Sequence, residues 1–336
     1  MDNSYKRTRA SSTARKLARC AALFAALGTA AGSACAQSNY PDHPLHLVVG
    51  FTAGGISDVL ARALAAKLSM QIGQQVVVDN KPGAGTTIAA EYVAKSPADG
   101  YTLFLQDMTT HAINVGLYKK LPYDSVKDFT PVSLVASTPL LMVDNPNLQA
   151  KTVKELIAVA KAKKGQLAYA SSGNGTVPHL AAETFKSLAG ADFVHVPFKG
   201  SAPAIQAVLA GDTAFTFSTM PPALTQVKAG KLVGLGVTTP KRVATIPDVP
   251  TVAESLPGFE FVLYSGILAP KGLPPAIVTR LNSELSKTVH SDDMRQIYLN
   301  LGAEQLTDTP AEFAAHINRE IPKMIKAVKL SGASID

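Results

Sequence analysis

From Leu45 onward the chain alternates between short apolar runs and stretches whose apolar residues recur every three to four positions. LHLVVGF reads as a strand, ISDVLARALAAKLSMQIG as a helix, QQVVVDN as a strand, TTIAAEYVAKSP as a helix and YTLFLQD as a strand. Almost wholly apolar strands alternating with helices predict a parallel sheet covered on both faces, with right-handed crossovers. Two apolar runs, FTPVSLVAS and PLLMVD, lead into a second alternating series. Thr152, Val153, Lys154 and Glu155 have the make-up of a capping box opening the helix TVKELIAVAKAKKG, which Gly165 stops. LAYAS, DFVHVPF, AFTFST and LVGLGVTT predict strands separated by helical stretches such as VPHLAAETFKSLAG and APAIQAVLAG.

After FEFVLYSGILAP the pattern turns helical, with PPAIVTRLNSELSKTVHS, DDMRQIYLNLGA and a last helix opened by Thr309, Pro310, Ala311 and Glu312. These three helices have no sheet of their own, so they are expected to pack on the first α/β unit. The expected organisation is therefore a discontinuous first domain, residues 37–138 with 265–336, and a second domain, residues 139–264. Two strands would cross between them, near residues 132–143 and 262–268, and two crossings make a hinge.

The first 36 residues stand outside this pattern: a basic start, MDNSYKRTRASSTARKLARC, precedes the short apolar run AALFAALGTAAGSA. That is the composition of a secretory signal peptide, with cleavage expected between Ala36 and Gln37 and export into a soluble compartment. A lipoprotein anchored at Cys35 is the rival reading, but Gly32, Ser33 and Ala34 lack the usual large aliphatic residue. Without the leader the charge becomes (32 − 6) − (25 − 1), or +2, and no basic run remains to suggest nucleic acid. Cys20 and Cys35 both fall in the leader, so the mature chain has no disulfide and no thiolate metal site. No cofactor and no metal are expected, and a monomer is expected.

A loop between the carboxyl end of a parallel strand and a helix start presents unpaired N–H groups and the positive end of a helix dipole, where anions bind. Phe51, Thr52, Ala53, Gly54, Gly55, Ile56, Ser57 and Asp58 (FTAGGISD) form one such loop. A tight turn without a ligand is the plain alternative, and the Asp58 carboxylate can serve simply to complement the dipole. Ser171, Ser172, Gly173, Asn174, Gly175 and Thr176 form a comparable loop in the second unit. Further candidates are Asp107, Thr109, Thr110 and His111 in the loop DMTTHAIN, and Phe198, Lys199, Gly200 and Ser201 in FKGS, with Phe198 as a lid. Lys199 is either a charge partner or a solvated surface lysine. Ser218 and Thr219 occupy the matching place after AFTF. Nucleotide and zinc-protease signatures are absent, as is GxSxG. A serine paired with His111 or His179 is the remaining route to catalysis.

YPDHPLHLVVGFTAGGISDVLAR, VVVDNKPGAGTTIAAEYVAKSPADGYTL, YASSGNGTVPHLAAE, HVPFKGSAPA and IPDVPTVAES together resemble the Bug family, the periplasmic solute receptors of tripartite tricarboxylate transporters. The resemblance implies a two-lobed, type II-like periplasmic binding protein, each lobe a mostly parallel sheet flanked by helices. It implies capture of a small carboxylate by the FTAGGISD and SSGNGT loops and delivery to the membrane components of a transporter. DMTTH, FKGS and Ser218-Thr219 would set specificity. The chain departs from the family pattern at Thr86-Thr87, where Gly-Asn is common, at Phe198, where Tyr is frequent, and at Phe215, Thr216 and Phe217, where an Asp is missing. The last two departures predict a more apolar cavity, suited to an aromatic or otherwise partly apolar mono- or dicarboxylate over citrate or a free amino acid. A two-lobed enzyme and a ligand-sensing subunit are the alternatives compatible with the same cleft.

Overall fold

The apolar run LHLVV forms strand β1 (Leu45–Val49), buried at every position but His46. The computed structural model describes residues 40–335, so the predicted signal peptide, its cleavage site and Cys35 lie outside the described residues. The first unit continues with α1 (Ile56–Ile72), β2 (Val76–Asn80), α2 (Thr87–Ala94), β3 (Thr102–Asp107) and α3 (Met108–Leu117). Gly73 ends α1 in the left-handed conformation, with its N–H on the Ser69 carbonyl. Beyond it come β4 (Phe129–Asp144), α4 (Val153–Lys163), β5 (Ala168–Ser171), α5 (Val177–Ala189), β6 (Val194–Pro197) and α6 (Ser201–Ala210). The chain closes with β7 (Phe215–Thr219), α7 (Met220–Lys228), β8 (Val233–Val237), β9 (Val262–Pro270), α8 (Pro275–Val289), α9 (Asp292–Leu301), β10 (Glu304–Gln305) and α10 (Pro310–Ser331).

The strands lie in the order β2-β1-β3-β9-β4-β7-β5-β6, with β8 and β10 also paired to β4. β1 is parallel to β2 and β3, and β5 is parallel to β6 and β7, as apolar β-α-β patterning requires. The antiparallel strands β9 and β4 join these two parallel sets. The expected boundaries 138/139 and 264/265 fall inside β4 and β9, where Thr138 and Leu263 sit in register.

FTPVSLVAS and PLLMVD, which read as two runs, are one strand of 16 residues. Its register with β9 shifts between Pro131 and Ser133 and again between Leu134 and Ala136, and these irregularities let the strand run on past Pro131. DMTTHAIN is also not a loop: after Asp107 it is the start of α3. Met108, Ala112, Ile113 and Leu117 share its buried side, a helical spacing that the polar residues between them obscured.

The last helix does more than cover the first unit. α10 packs on both α3 and α5, and its Met324, Ala327 and Val328 share one core cluster with Ile113, Leu117, Leu180 and Phe185. The capping box expected at Thr309 and Glu312 is complete. At Thr152 only half forms, because the Glu155 carboxylate accepts the Lys151 N–H instead, at 2.6 Å.

Candidate functional site

Both glycine-containing loops open on one cavity of about 570 Å³. Phe51, Thr52, Gly55, Ile56 and Ser57 line it from the first loop, and Ser172, Asn174, Gly175 and Thr176 from the second. Between them in sheet order lie β3, β9, β4 and β7, which contribute Asp107, Ser265, Thr138 and Thr219 respectively. Thr110 on α3 and Ser201 on α6 complete the predicted residues brought together here.

Helix starts surround this space. α1, α5, α6 and α7 begin at Gly55, Thr176, Gly200 and Thr219, and none of these residues caps its helix with a side chain. First-turn residues of three of them, Ile56 and Ser57, Val177 and Pro178, and Ser201, line the cavity, as does Thr219 at the start of the fourth. Four positive dipole ends therefore meet in one place, with the unpaired N–H groups supplied mainly by α1, because Pro178, Pro203 and the pair Pro221 and Pro222 remove first-turn donors from α5, α6 and α7. The fifth helix start, that of α3, is occupied: Asp107 Oδ1 accepts the Thr110 N–H at 2.6 Å. Burial pushes the Asp107 carboxyl up to about 6, against the downward pull of the Thr110 and Thr109 donors.

The first loop is held from behind by Asp58, which turns away from the cavity. Its carboxylate accepts the Gly54 N–H at 2.9 Å, Arg62 Nε at 3.0 Å and Asn80 Nδ2 at 2.9 Å. Asn80 Nδ2 also donates to the Phe51 carbonyl at 3.0 Å, so both ends of the loop are tied to one side chain. The Arg62 guanidinium beside it lowers the Asp58 carboxyl to about 2 despite its burial. Asp58 is thus a positioning residue, and Ala53 and Gly54 are exposed without lining the cavity.

A column of rings underlies the second loop. His195 stacks on Tyr169 at 4.8 Å and on His179 at 4.0 Å. His195 Nε2 lies 2.6 Å from Ser171 Oγ, which accepts the Gly173 N–H at 3.2 Å. His179 Nδ1 accepts the Gly175 N–H at 3.1 Å. Burial lowers both imidazoles, His179 to about 4, which keeps His179 a neutral acceptor for the Gly175 N–H. Ser171 is fully buried and neither it nor Gly173 lines the cavity, so this serine–histidine pair shapes the loop. His111 is likewise outside the cavity lining, buried with Nε2 on the Ser125 carbonyl at 2.9 Å.

Other predicted residues stand back too. Thr109 Oγ1 donates to the Val262 carbonyl at 2.8 Å, and Ser218 is buried. Phe198 and Gly200 are tied to the second loop through their N–H groups on Ser171 and Ser172 carbonyls, and Lys199 is exposed. None of these five lines the cavity, so Phe198 is no lid in this conformation. Phe215 and Phe217 are buried among Phe185, Phe193 and Phe259. The expectation that Phe198, Phe215 and Phe217 make the cavity apolar is therefore corrected.

The apolar lining has another source: Ile113 and Leu117 on α3, Leu263 on β9 and Ile335 near the carboxyl terminus, besides Phe51, Ile56 and Val177. Gly85 and Asn114 also line it, joined by a bond from Asn114 Nδ2 to the Gly85 carbonyl at 2.7 Å. Gly85 sits in the GAG motif, and Thr138 and Ser265 sit at the two predicted crossings, so these carried a signal. Ile335 carried none.

A cavity ringed by helix starts on an α/β frame of this strand order fits an anion receptor, and the profile of the tripartite tricarboxylate transporter family receptor matches residues 60–332. The chain belongs to this receptor family. It is a solute-binding receptor and not an enzyme. It is 36% identical to protein BugT of Bordetella pertussis over 298 residues, 88% of this chain and 91% of BugT. Among solved structures, R. palustris Rpa4515 with adipate shares 37% identity at a TM-score of 0.77, covering 88% of this chain and 100% of the other. MatC from Rhodopseudomonas palustris with bound malate shares 31% identity at a TM-score of 0.71, covering 86% of this chain and 100% of the other. The fold is that of these periplasmic binding proteins, and among the described residues no helix is long and apolar enough to cross a membrane.

Proposed function

We propose that this receptor works in the periplasm after removal of its leader, captures a small, partly apolar carboxylate, and hands it to the membrane components of a tripartite tricarboxylate transporter. Residues 37–138 with 265–336 form one lobe and residues 139–264 the other, closing about β4 and β9. The observation that carries this reading is the meeting of four helix starts without side-chain caps at one cavity. Such N–H groups hold a carboxylate without a lysine or arginine. In this reading Gly55, Ser57, Ser172, Asn174 and Thr176 grip the head group and Ile56, Ile113, Leu117, Leu263 and Ile335 cover an apolar body, which their place in the cavity lining supports. Adipate and malate in the two solved relatives support a carboxylate as the ligand class.

Closure follows from differential affinity: a ligand bridging both loops binds the closed form better and shifts the equilibrium toward it. The test is mass spectrometry of the small molecules carried through native purification, followed by calorimetric titration of the ligand-stripped protein with a panel of aromatic, aliphatic and hydroxylated acids. A carboxylate that co-purifies and rebinds unchanged is the expected result. Absence of any bound acid, together with no heat from the whole panel, would overturn the reading.

A further inference from the structure

Among the described residues lining the cavity there is no lysine, arginine, histidine or glutamate, and there is one aspartate, Asp107. Asp107 is only 5% exposed and stands at the end of β3, opposite Ser265 of β9, where the two halves of the sheet meet. Thr110 Oγ1 is within the same lining, and the Gln106 side chain takes the Asp107 N–H at 3.1 Å. His111, one turn along the same helix, is held neutral by burial and bonded to Ser125. No cation therefore balances the Asp107 carboxylate, which accepts from the Thr110 and Thr109 N–H groups and the Thr110 hydroxyl and keeps its remaining acceptor capacity for the cavity.

We infer that Asp107 determines specificity: the receptor selects a monocarboxylate that carries a hydrogen-bond donor, such as a hydroxyl, away from its carboxylate, and discriminates against a second ionised carboxylate. This rests on the carboxylate-receptor reading above and narrows it. The physical reason is that two carboxylates about 5 Å apart, in a site of effective dielectric near 20, repel enough to weaken binding on the order of 100-fold. A hydroxyl at the same place donates to Asp107 and fills the acceptor capacity that Thr109 and Thr110 leave, which binding would otherwise desolvate. The four helix starts serve the ligand's own carboxylate, whereas the fifth is already filled by Asp107 itself.

The experiment compares 6-hydroxyhexanoate with adipate, acids of equal chain length, by calorimetric titration of ligand-stripped protein at pH 8, where Asp107 is ionised. Wild type is expected to bind the hydroxy acid at least about 10-fold more tightly. In Asp107→Asn and Asp107→Ser, whose side chains also cap helices, the ratio is expected to move at least about 10-fold toward adipate. Thermal unfolding of both variants checks that they are folded. Equal wild-type affinity for the two acids, or an unchanged ratio in a folded variant, overturns this inference while leaving the receptor reading intact. Failure of every carboxylate in the panel to bind wild type overturns both.

Discussion

Gly175 lies directly against Leu117, so that a methyl group on its Cα would stand 2.9 Å from Leu117 Cδ2 and 3.0 Å from Cδ1. The second loop thus rests on a side chain from α3, across the cavity that both residues line. Gly175 also has φ +72°, a left-handed conformation that costs an L-residue roughly 1–2 kcal/mol. Gly175→Ala should add that strain and a wedge between the two walls. We expect ligand affinity to fall at least about 10-fold, with a stability loss of about 1–2 kcal/mol. Gly190→Ala is the control: its φ is +56° and nothing lies within 4 Å of the added methyl. It should lose similar stability and keep its affinity. Calorimetric titration and chemical denaturation of the two variants separate the wedge from the strain.

Asp58 fastens the first loop from outside the cavity lining. Removing its carboxylate leaves the Gly54 N–H, Arg62 Nε and one proton of the Asn80 amide without this acceptor, although Arg62 Nη2 keeps its bond to Asn80 Oδ1 at 3.0 Å. Asp58→Ala should therefore cost about 1–3 kcal/mol of stability. Because the loop's N–H groups lose their fixed aim, affinity should fall as well. Arg62→Ala, which keeps the Gly54 and Asn80 bonds to Asp58 and loses only the Arg62 bonds to Asp58 and Asn80, should lower affinity less. Equal affinities for wild type and Asp58→Ala would remove the positioning role.

The features legible in the sequence were those written in local chemistry. Glycines after an apolar strand announced the two loops, and the Thr309-to-Glu312 box marked the start of α10 within a residue. The errors arose where tertiary packing decides which face a residue presents. The polar run after Asp107 reads as a loop, although Asp107 caps a helix. Phe215 and Phe217 sit on a strand leading to the cavity, yet both point into the ring cluster around Phe185. Ile335 reaches the cavity only because α10 spans both halves of the sheet and returns the chain beside Tyr118, a contact with no counterpart in local periodicity.

Asp144, at the end of β4, is fully buried, and neither carboxylate oxygen has a hydrogen-bond partner. Burial pushes its carboxyl from 3.8 up to about 7, with a smaller contribution from Glu155. The folded protein therefore binds a proton there that the unfolded chain releases near pH 4. The sign follows: this site makes stability fall as pH rises from about 4 to about 7, and has no pH effect below that window. Asp144→Asn cannot titrate. Its stability relative to wild type should rise by about 1–3 kcal/mol between pH 4.5 and pH 8 in urea denaturation. The buried His111, His179 and His316 titrate in both proteins and cancel in the difference. A constant difference across that range would mean that Asp144 has a partner or a different ionisation.

Ile335 tests whether the ligand has an apolar body. Its N–H donates to the Leu117 carbonyl at 3.1 Å, which brings the segment after α10 to the cavity wall. The side chain is 42% exposed, consistent with a face left open toward a ligand. Ile335→Ala keeps the backbone bond and removes three carbons. If an aliphatic chain packs there, partial burial of those carbons is worth about 1 kcal/mol, since each fully buried methylene contributes about 0.8 kcal/mol. Affinity for 6-hydroxyhexanoate should then drop about 5-fold, whereas a short acid such as lactate, with no chain to reach the wall, should be affected less than 2-fold. Equal losses for both acids would point to a change in the closure of the cavity, and no loss for either would place the ligand's apolar body against Leu263 and Ile113 instead.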